Sequence, residues 1–191
     1  LWAIVVGLLA WSLVMAIDST AILRAIVDQI QVDRLIDTAR RLIEAPSPTR
    51  SAGAVSDVLA ELLVKDGFAV ERHDAGHPAA PAVVVRWHTG ESGPLVEFNG
   101  HLDTVHLPFV PFQQVGDLLL GSGSCDMKGG LAAAVEALRV LRDSATLPRG
   151  GVLLVAHDLH EAPWGYSEQL DTLITDGVHG DVVLIPEPLC A

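Results

Sequence analysis

The sequence predicts an α/β fold with a largely parallel sheet flanked by helices. Segments with a helical spacing of apolar residues alternate along the chain with short segments typical of strands. Residues 151–156 are almost wholly apolar, as expected of a strand buried on both faces of a parallel sheet. Polar clusters follow several strands directly, and open α/β sheets bind their ligands beyond the carboxyl ends of strands. We therefore expect a functional site at one edge of this sheet.

Three amphipathic helices are predicted. The first covers residues 32–43 and should end before Pro46, because the residue preceding a proline disfavours the α region. The second covers residues 54–65 and ends at Gly67, a favourable C-cap. The third covers residues 127–141, so that Asp126 lies where this helix opens.

Strands are predicted over residues 68–72, 82–87, 94–99, 151–156 and 181–186. The segment 94–99 alternates apolar and polar side chains and stops at Gly100, just before His101 and Asp103. These two residues project to the same side if the extended backbone continues. Imidazole is the commonest metal ligand, and a neighbouring carboxylate can orient its ring. The pattern indicates a metal site, with a capping histidine beside a solvated aspartate as the alternative.

The same arrangement recurs downstream. Residues 151–156 lead into His160 and Glu161, and residues 181–186 lead into Glu187. With Asp126, four polar clusters are expected to converge at the carboxyl ends of the strands. This repetition favours the metal site over a single capping histidine.

From residue 32 to its end, the chain resembles the di-zinc amidohydrolases, which include acetylornithine deacetylase, succinyl-diaminopimelate desuccinylase, aminoacylase and the glutamate carboxypeptidases. The motifs that carry the resemblance are His101-Leu102-Asp103, Asp126-Met127-Lys128-Gly129-Gly130, His160-Glu161 and Glu187-Pro188. The resemblance implies the N-terminal part of a zinc-peptidase-like catalytic domain.

The resemblance also implies the roles of single residues. His101 and Glu187 would hold one metal ion, Glu161 would hold the other, and Asp126 would bridge the two. Asp103 would orient His101. The ions would be zinc, with cobalt or manganese as alternatives. Two such ions, about 3.5–4 Å apart, can activate a shared water and polarise a carbonyl oxygen.

The sequence departs from this family at two points. The general base of the family is the first of two adjacent glutamates, but the matching pair here is His160-Glu161. Either His160 takes the proton, or Glu161 is the base and the ligand lies elsewhere. We favour Glu161 as a ligand and leave the base open between the two residues, with a His160 that only supports a ligand or contacts the substrate as the alternative. Family members also continue through a lid, which often mediates dimerisation, to a returning half that supplies one more histidine ligand, and neither follows Ala191. We therefore interpret residues 18–191 as the N-terminal part of the catalytic domain, without lid or C-terminal half.

Composition restricts the class of partner. The formal net charge is −12, and the twelve lysines and arginines are scattered, which argues against nucleic acid. The two cysteines provide no disulfide framework, and Cys125 is expected to be a small buried residue rather than a reactive thiol or soft ligand. For Lys128, pairing with a carboxylate and a solvated first-turn position are equally open.

Residues 1–17 form an uncharged apolar segment at the lower limit of length for a membrane span. The segment lacks the basic region of a signal peptide. Its interpretations are a non-native extension, a membrane anchor or a helix packed on the protein, and we expect a cytoplasmic location.

Two functions follow from the sequence. The first is a metal-dependent hydrolase that cleaves an amide bond of a small N-acyl amino acid or peptide through a di-metal-activated water. The alternative is a truncated, non-catalytic fragment or pseudoenzyme that binds metal without turnover.

Overall fold

The computed structural model of the chain describes residues 19–188. The helices are α1 (Ser19–Val27), α2 (Val32–Glu44), α3 (Gly53–Lys65), α4 (Lys128–Ser144) and α5 (Glu168–Thr175). The strands are β1 (Val70–His73), β2 (Ala82–His88), β3 (Leu95–His101), β4 (Gln113–Val115), β5 (Leu118–Leu120), β6 (Gly151–His157) and β7 (Val182–Leu184).

Five strands form the central sheet in the order β1-β2-β6-β3-β7, and β4 and β5 form a separate hairpin. Strand β3 pairs in parallel with both β6 and β7. Strand β2 runs antiparallel to β6 and to β1, so four of the five strands share one direction. The predicted α/β class with a largely parallel sheet is confirmed.

Helices cover both faces of the sheet. One face carries α2, α3 and α4, whose apolar side chains share a core with Val83, Leu154 and Ala156. The opposite face of the same strands packs Val155 against Leu173 of α5. Strand β6 is buried along its whole length, as its apolar sequence predicts.

Buried ion pairs attach α4 to α2 and to the end of α3. The guanidinium of Arg139 is 2% exposed and lies 2.6 Å from the Asp66 carboxylate. Arg34 lies 2.8 Å from Glu136, whose side chain is also 2% exposed. A buried charge is tolerated only when it is paired, so these contacts fix α4 in position. Asp126 lies two residues before the start of α4.

The strand bounds differ from prediction at both edges of the sheet. Strand β1 begins at Val70 rather than at residue 68, because Phe68 packs into the core after α3. Strand β7 is shorter than predicted, and its three residues are exposed because it pairs only with β3. Helices α1 and α5 and the β4–β5 hairpin were not predicted.

Residues 1–17, for which the sequence leaves several interpretations, lie outside the described residues, and so does Cys190. Among residues 19–188, no helix combines the length and apolar character needed to cross a membrane.

Candidate metal centre

The ends of β3 and β6 lie side by side, with His101 in register with His157. The imidazole of His101 is fully buried. Its Nδ1 lies 2.9 Å from the carbonyl oxygen of Asp103, and its Nε2 lies 3.0 Å from Oδ1 of Asp126. Because Nδ1 is engaged by an oxygen, Nε2 is the nitrogen available for a ligand.

Asp103 is also buried, and its carboxylate lies closer to two backbone N–H groups than to the ring of His101. The carboxylate accepts hydrogen bonds from the N–H groups of His160, at 3.2 Å, and Glu161, at 3.1 Å. Its Oδ1 lies 3.6 Å from Nδ1 of His101, farther than the carbonyl oxygen of the same residue. Asp103 therefore orients the ring through its main chain, while its side chain anchors the segment that carries His160 and Glu161.

The charge of Asp103 is stabilised by these contacts. Burial raises the pKa of Asp103, but the neighbouring His101 and the Glu161 N–H outweigh it and lower the pKa to about 2. Burial lowers the pKa of His101, but the carboxylates of Asp103 and Asp126 outweigh it, so this pKa is raised.

His160 lies against His101. The two rings are stacked, with centroids 4.2 Å apart and planes 9° from parallel. The Nδ1 of His160 lies 3.2 Å from the hydroxyl of Ser167, and its Nε2 lies 3.5 Å from Oε1 of Glu187. Glu187 follows β7, so this contact connects two strand ends.

Asp158 holds the segment between β6 and Glu161 in place, and sequence reasoning missed it. Its buried carboxylate accepts the backbone N–H groups of Arg50 and Ala52, each at 3.1 Å. Its own N–H donates to Oε1 of Gln169 on α5, at 2.7 Å. The segment is therefore tied to the loop before α3 and to α5.

Two groups of side chains in residues 19–188 have potential ligand atoms within 4.8 Å of one another. One group is His101, His160 and Glu187, and the other is His101, Asp126 and Glu161. All four predicted metal ligands are thus in these two groups, which meet at His101. The structure adds His160, which the sequence suggested as a base and not as a ligand.

Burial and nearby charges also act on Glu161. Burial raises the pKa of its carboxyl group. The charge on His101 lowers this pKa, while the charges of Asp126, Asp103 and Glu187 raise it, and the net direction is upward. The carboxyl of Glu161 therefore holds a proton more readily than an ordinary glutamate does.

Two neighbours of the site differ from expectation. Cys125, predicted to be a small buried residue, is exposed, because it lies in the turn before α4 and outside the core. Lys128 is fully buried rather than solvated, and its ammonium donates to the carbonyl of Ala45 at 2.9 Å, whereas among residues 19–188 no carboxylate forms an ion pair with it. Burial lowers the pKa of Lys128 to about 8.

The chain is similar to a known family of peptidases and to curated members of related function. Residues 98–188 match the peptidase family M20/M25/M40. Succinyl-diaminopimelate desuccinylase of Erythrobacter litoralis is 32% identical over 173 residues, which are 82% of this chain and 44% of that protein. The corresponding enzyme of Rhizorhabdus wittichii is 34% identical over 163 residues, or 80% of this chain and 42% of that protein. The chain thus spans less than half the length of these curated relatives.

Solved structures share the fold. A tripeptidase from Staphylococcus aureus superposes with a TM-score of 0.67 at 22% identity, covering 83% of this chain and 44% of its own. Human carnosine dipeptidase 1 gives a TM-score of 0.63 at 21% identity, covering 87% and 41%. A Bacillus subtilis protein described as a dinuclear metal binding peptidase from the M20 family gives 0.57 at 16% identity, covering 80% and 42%.

Proposed function

Because the chain belongs to the peptidase family M20/M25/M40, we propose that it forms part of a metal-dependent hydrolase that cleaves the amide bond of a small N-acyl amino acid or peptide. The observation that carries the proposal is the convergence of His101, Asp126, Glu161 and Glu187, from separate strand ends and the opening of α4, on one small region.

The donor atoms fit divalent metal ions. Zinc in catalytic sites takes imidazole nitrogen and carboxylate oxygen and keeps a position open for water. The two groups contain only imidazoles and carboxylates. The side chain of Asp126 is 44% exposed and that of Glu187 is 39% exposed, so the region is open to a substrate while His101 is buried.

We assign the ligands as follows. His101 and Glu187 would hold one ion, Glu161 would contribute to the other, and Asp126 would serve both. Divalent ions bound here would lower the pKa of a water molecule and polarise the carbonyl group of the scissile amide. Zinc is the metal we propose, since imidazole and carboxylate both suit it.

The general base is His160 or Glu161. A base must lie within hydrogen-bonding reach of the water that attacks, and it must then pass the proton to the leaving amine. Both side chains belong to the ligand groups, and both are held by the contacts of Asp103 with their backbone N–H groups.

We also propose a domain organisation and a class of substrate. Residues 18–191 are taken as the N-terminal part of a catalytic domain in a longer enzyme of cytoplasmic location. The desuccinylases that it matches suggest N-succinyl amino acids as substrates, and the solved peptidases suggest dipeptides and tripeptides. Dimerisation through a lid outside this chain stays a prediction.

The test compares hydrolysis with and without metal. The purified full-length enzyme that contains this chain is assayed with N-succinyl and N-acetyl amino acids and with dipeptides, first after chelation and then after one to two equivalents of zinc are restored. We expect zinc-dependent release of the free amine, and its loss in Asp126→Asn. Asp117→Asn, an exposed aspartate on the β4–β5 hairpin, is the control and should stay active. Stoichiometric zinc without turnover of any of these amides would contradict the proposal and support a non-catalytic metal-binding protein.

A further inference from the structure

His160 lies between two residues that are assigned as metal ligands, His101 and Glu187. The side chain is 27% exposed, and its ring lies parallel to that of His101, which is already assigned to a metal ion. A histidine that acts only as a base needs access to water and substrate on one nitrogen. The position of His160 instead brings its free nitrogen toward a second assigned ligand, the carboxylate of Glu187.

The two imidazoles are held in the same manner. Nδ1 of His101 lies 2.9 Å from the carbonyl oxygen of Asp103, and Nδ1 of His160 lies 3.2 Å from the hydroxyl of Ser167. Histidines that bind metal through one nitrogen commonly use the other to contact an oxygen, which fixes the tautomer and the ring orientation. The carbonyl partner of His101 accepts from Nδ1 and leaves Nε2 with the lone pair, and the same holds for His160 when its Nδ1 donates to the Ser167 hydroxyl.

The backbone conformation at Ser167, which positions its hydroxyl, is unusual. Ser167 is the N-cap residue immediately before α5 and adopts φ +62° and ψ 24°, a left-handed conformation that is uncommon for residues other than glycine. Leu159 and Tyr166, on either side of His160 in the chain, also have positive φ. Unfavourable backbone conformations persist where surrounding contacts impose them, and here those contacts include the Asp158 hydrogen bonds.

We propose that Nε2 of His160 is a metal ligand, and that with His101 and Glu187 it provides two imidazoles and one carboxylate in addition to the shared Asp126. The proposal rests on the proposed function for the presence of metal, and goes beyond it in the ligand set. Ligand atoms of the three residues lie within 4.8 Å of one another. Two neutral imidazoles and one carboxylate are a donor set that zinc takes in catalytic sites.

The assignment settles the choice of base. A nitrogen whose lone pair is shared with a metal ion cannot accept a proton from water, so His160 is excluded from that task. The proton acceptor is then Glu161, because a carboxylate that binds an ion through one oxygen keeps a second oxygen for the proton. Glu161 lies next to His160 in the chain and is held by Asp103 through its own N–H. His160 thus binds the ion, and Ser167 is a positioning residue that acts through it.

The test measures metal binding without reference to turnover. His160→Phe keeps an aromatic ring for stacking on His101 but removes the nitrogen. His179→Ala, which removes an exposed histidine outside the site, is the control. Each protein is stripped with a chelator, loaded with one equivalent of zinc, and examined by zinc titration and by X-ray absorption at the zinc edge, which counts imidazole ligands.

We expect the zinc spectrum of His160→Phe to show one imidazole fewer. Its zinc affinity should fall by more than the roughly 10- to 100-fold that is typical when a residue contacting a ligand is removed. Ser167→Ala should keep both imidazoles and bind about tenfold more weakly. Far-ultraviolet circular dichroism of the metal-free proteins should match the wild type, which separates loss of a ligand from loss of folding.

Other results would overturn the inference. If His160→Phe keeps the wild-type affinity and imidazole count while His101→Ala loses zinc, His160 is not a ligand and the proposed metal centre stands. If His101→Ala also keeps wild-type zinc binding, the metal centre and the proposed function both fail. A variant of His160 that no longer folds is replaced by His160→Gln, for which the same loss of one imidazole is expected.

Discussion

The buried carboxylate of Asp103 accepts the backbone N–H of Glu161 at 3.1 Å, and thereby fastens the segment after β6 to the end of β3. The same carboxylate accepts the N–H of His160. One aspartate thus fixes, through the main chain, the positions of two side chains of the candidate metal centre. A hydrogen bond of this kind to a charged acceptor is worth about 1.5–3 kcal/mol.

Replacing Asp103 by asparagine should destabilise the fold. The pKa of Asp103 is lowered to about 2 in the folded protein, so the folded state favours the charged form. A lowered carboxyl pKa contributes stability above the unfolded value near 3.8, and this is lost as the pH falls through about 2. We expect Asp103→Asn to lower the free energy of unfolding at pH 7 by about 2 kcal/mol in urea titrations of the metal-free protein. An unchanged midpoint, equal to that of the Asp117→Asn control, would show that the buried charge contributes nothing.

Zinc binding should weaken in acid. A metal ion binds only the neutral imidazole, and the pKa of His101 is raised by Asp103 and Asp126, so the ion competes with a proton. The apparent affinity should therefore fall by about tenfold for each pH unit below that raised pKa, and stay constant well above it. Titrations between pH 5 and pH 9 with a competing chelator measure this change. An affinity that does not vary across this range would exclude His101 as the nitrogen ligand.

Adding a methyl group at Gly130 should weaken metal binding although it favours the helix. Gly130 lies in the first turn of α4, and a Cβ there would collide with the carbonyl of Pro186, the residue before Glu187. Alanine in a helix interior is otherwise favoured over glycine by about 1 kcal/mol. We expect Gly130→Ala to move the segment of Glu187 away from the site and lower zinc affinity severalfold, while the helical circular dichroism is retained.

The control for Gly130→Ala is a variant that changes the Glu187 side chain itself and leaves the backbone position unchanged. A Glu187→Gln variant removes the carboxylate charge without moving the backbone, and should weaken zinc binding as well. If Gly130→Ala binds zinc like the wild type and Glu187→Gln does not, the close packing of α4 on the β7 segment is not needed to place the ligand.

The strand-end clusters could be predicted because each depends on local sequence. The alternation before Gly100 and the apolar run of β6 specify where the strands stop, and parallel strands bring their carboxyl ends to one edge. His101 and Glu161 could therefore be placed near each other without any knowledge of tertiary contacts.

The supporting contacts could not be predicted because they join distant parts of the chain. Asp158 meets the backbone of Arg50, 108 positions away, and no local pattern marks it. Lys128 is buried because α4 packs on the end of α2, where its ammonium reaches the carbonyl of Ala45. The contact between Ser167 and His160 depends on an unusual backbone conformation at Tyr166 and Ser167, which the local sequence does not predict.

The central claim is that His101, Asp126, Glu161 and Glu187 surround bound metal, and anomalous scattering at the zinc absorption edge tests it most directly. Crystals of the zinc-loaded protein should show an anomalous peak within bonding distance, about 2.0–2.2 Å, of Nε2 of His101 and a carboxylate oxygen of Glu187. The same peak should be absent from crystals of His101→Ala. Zinc peaks that lie only at other residues, or that persist unchanged in His101→Ala, would contradict the claim.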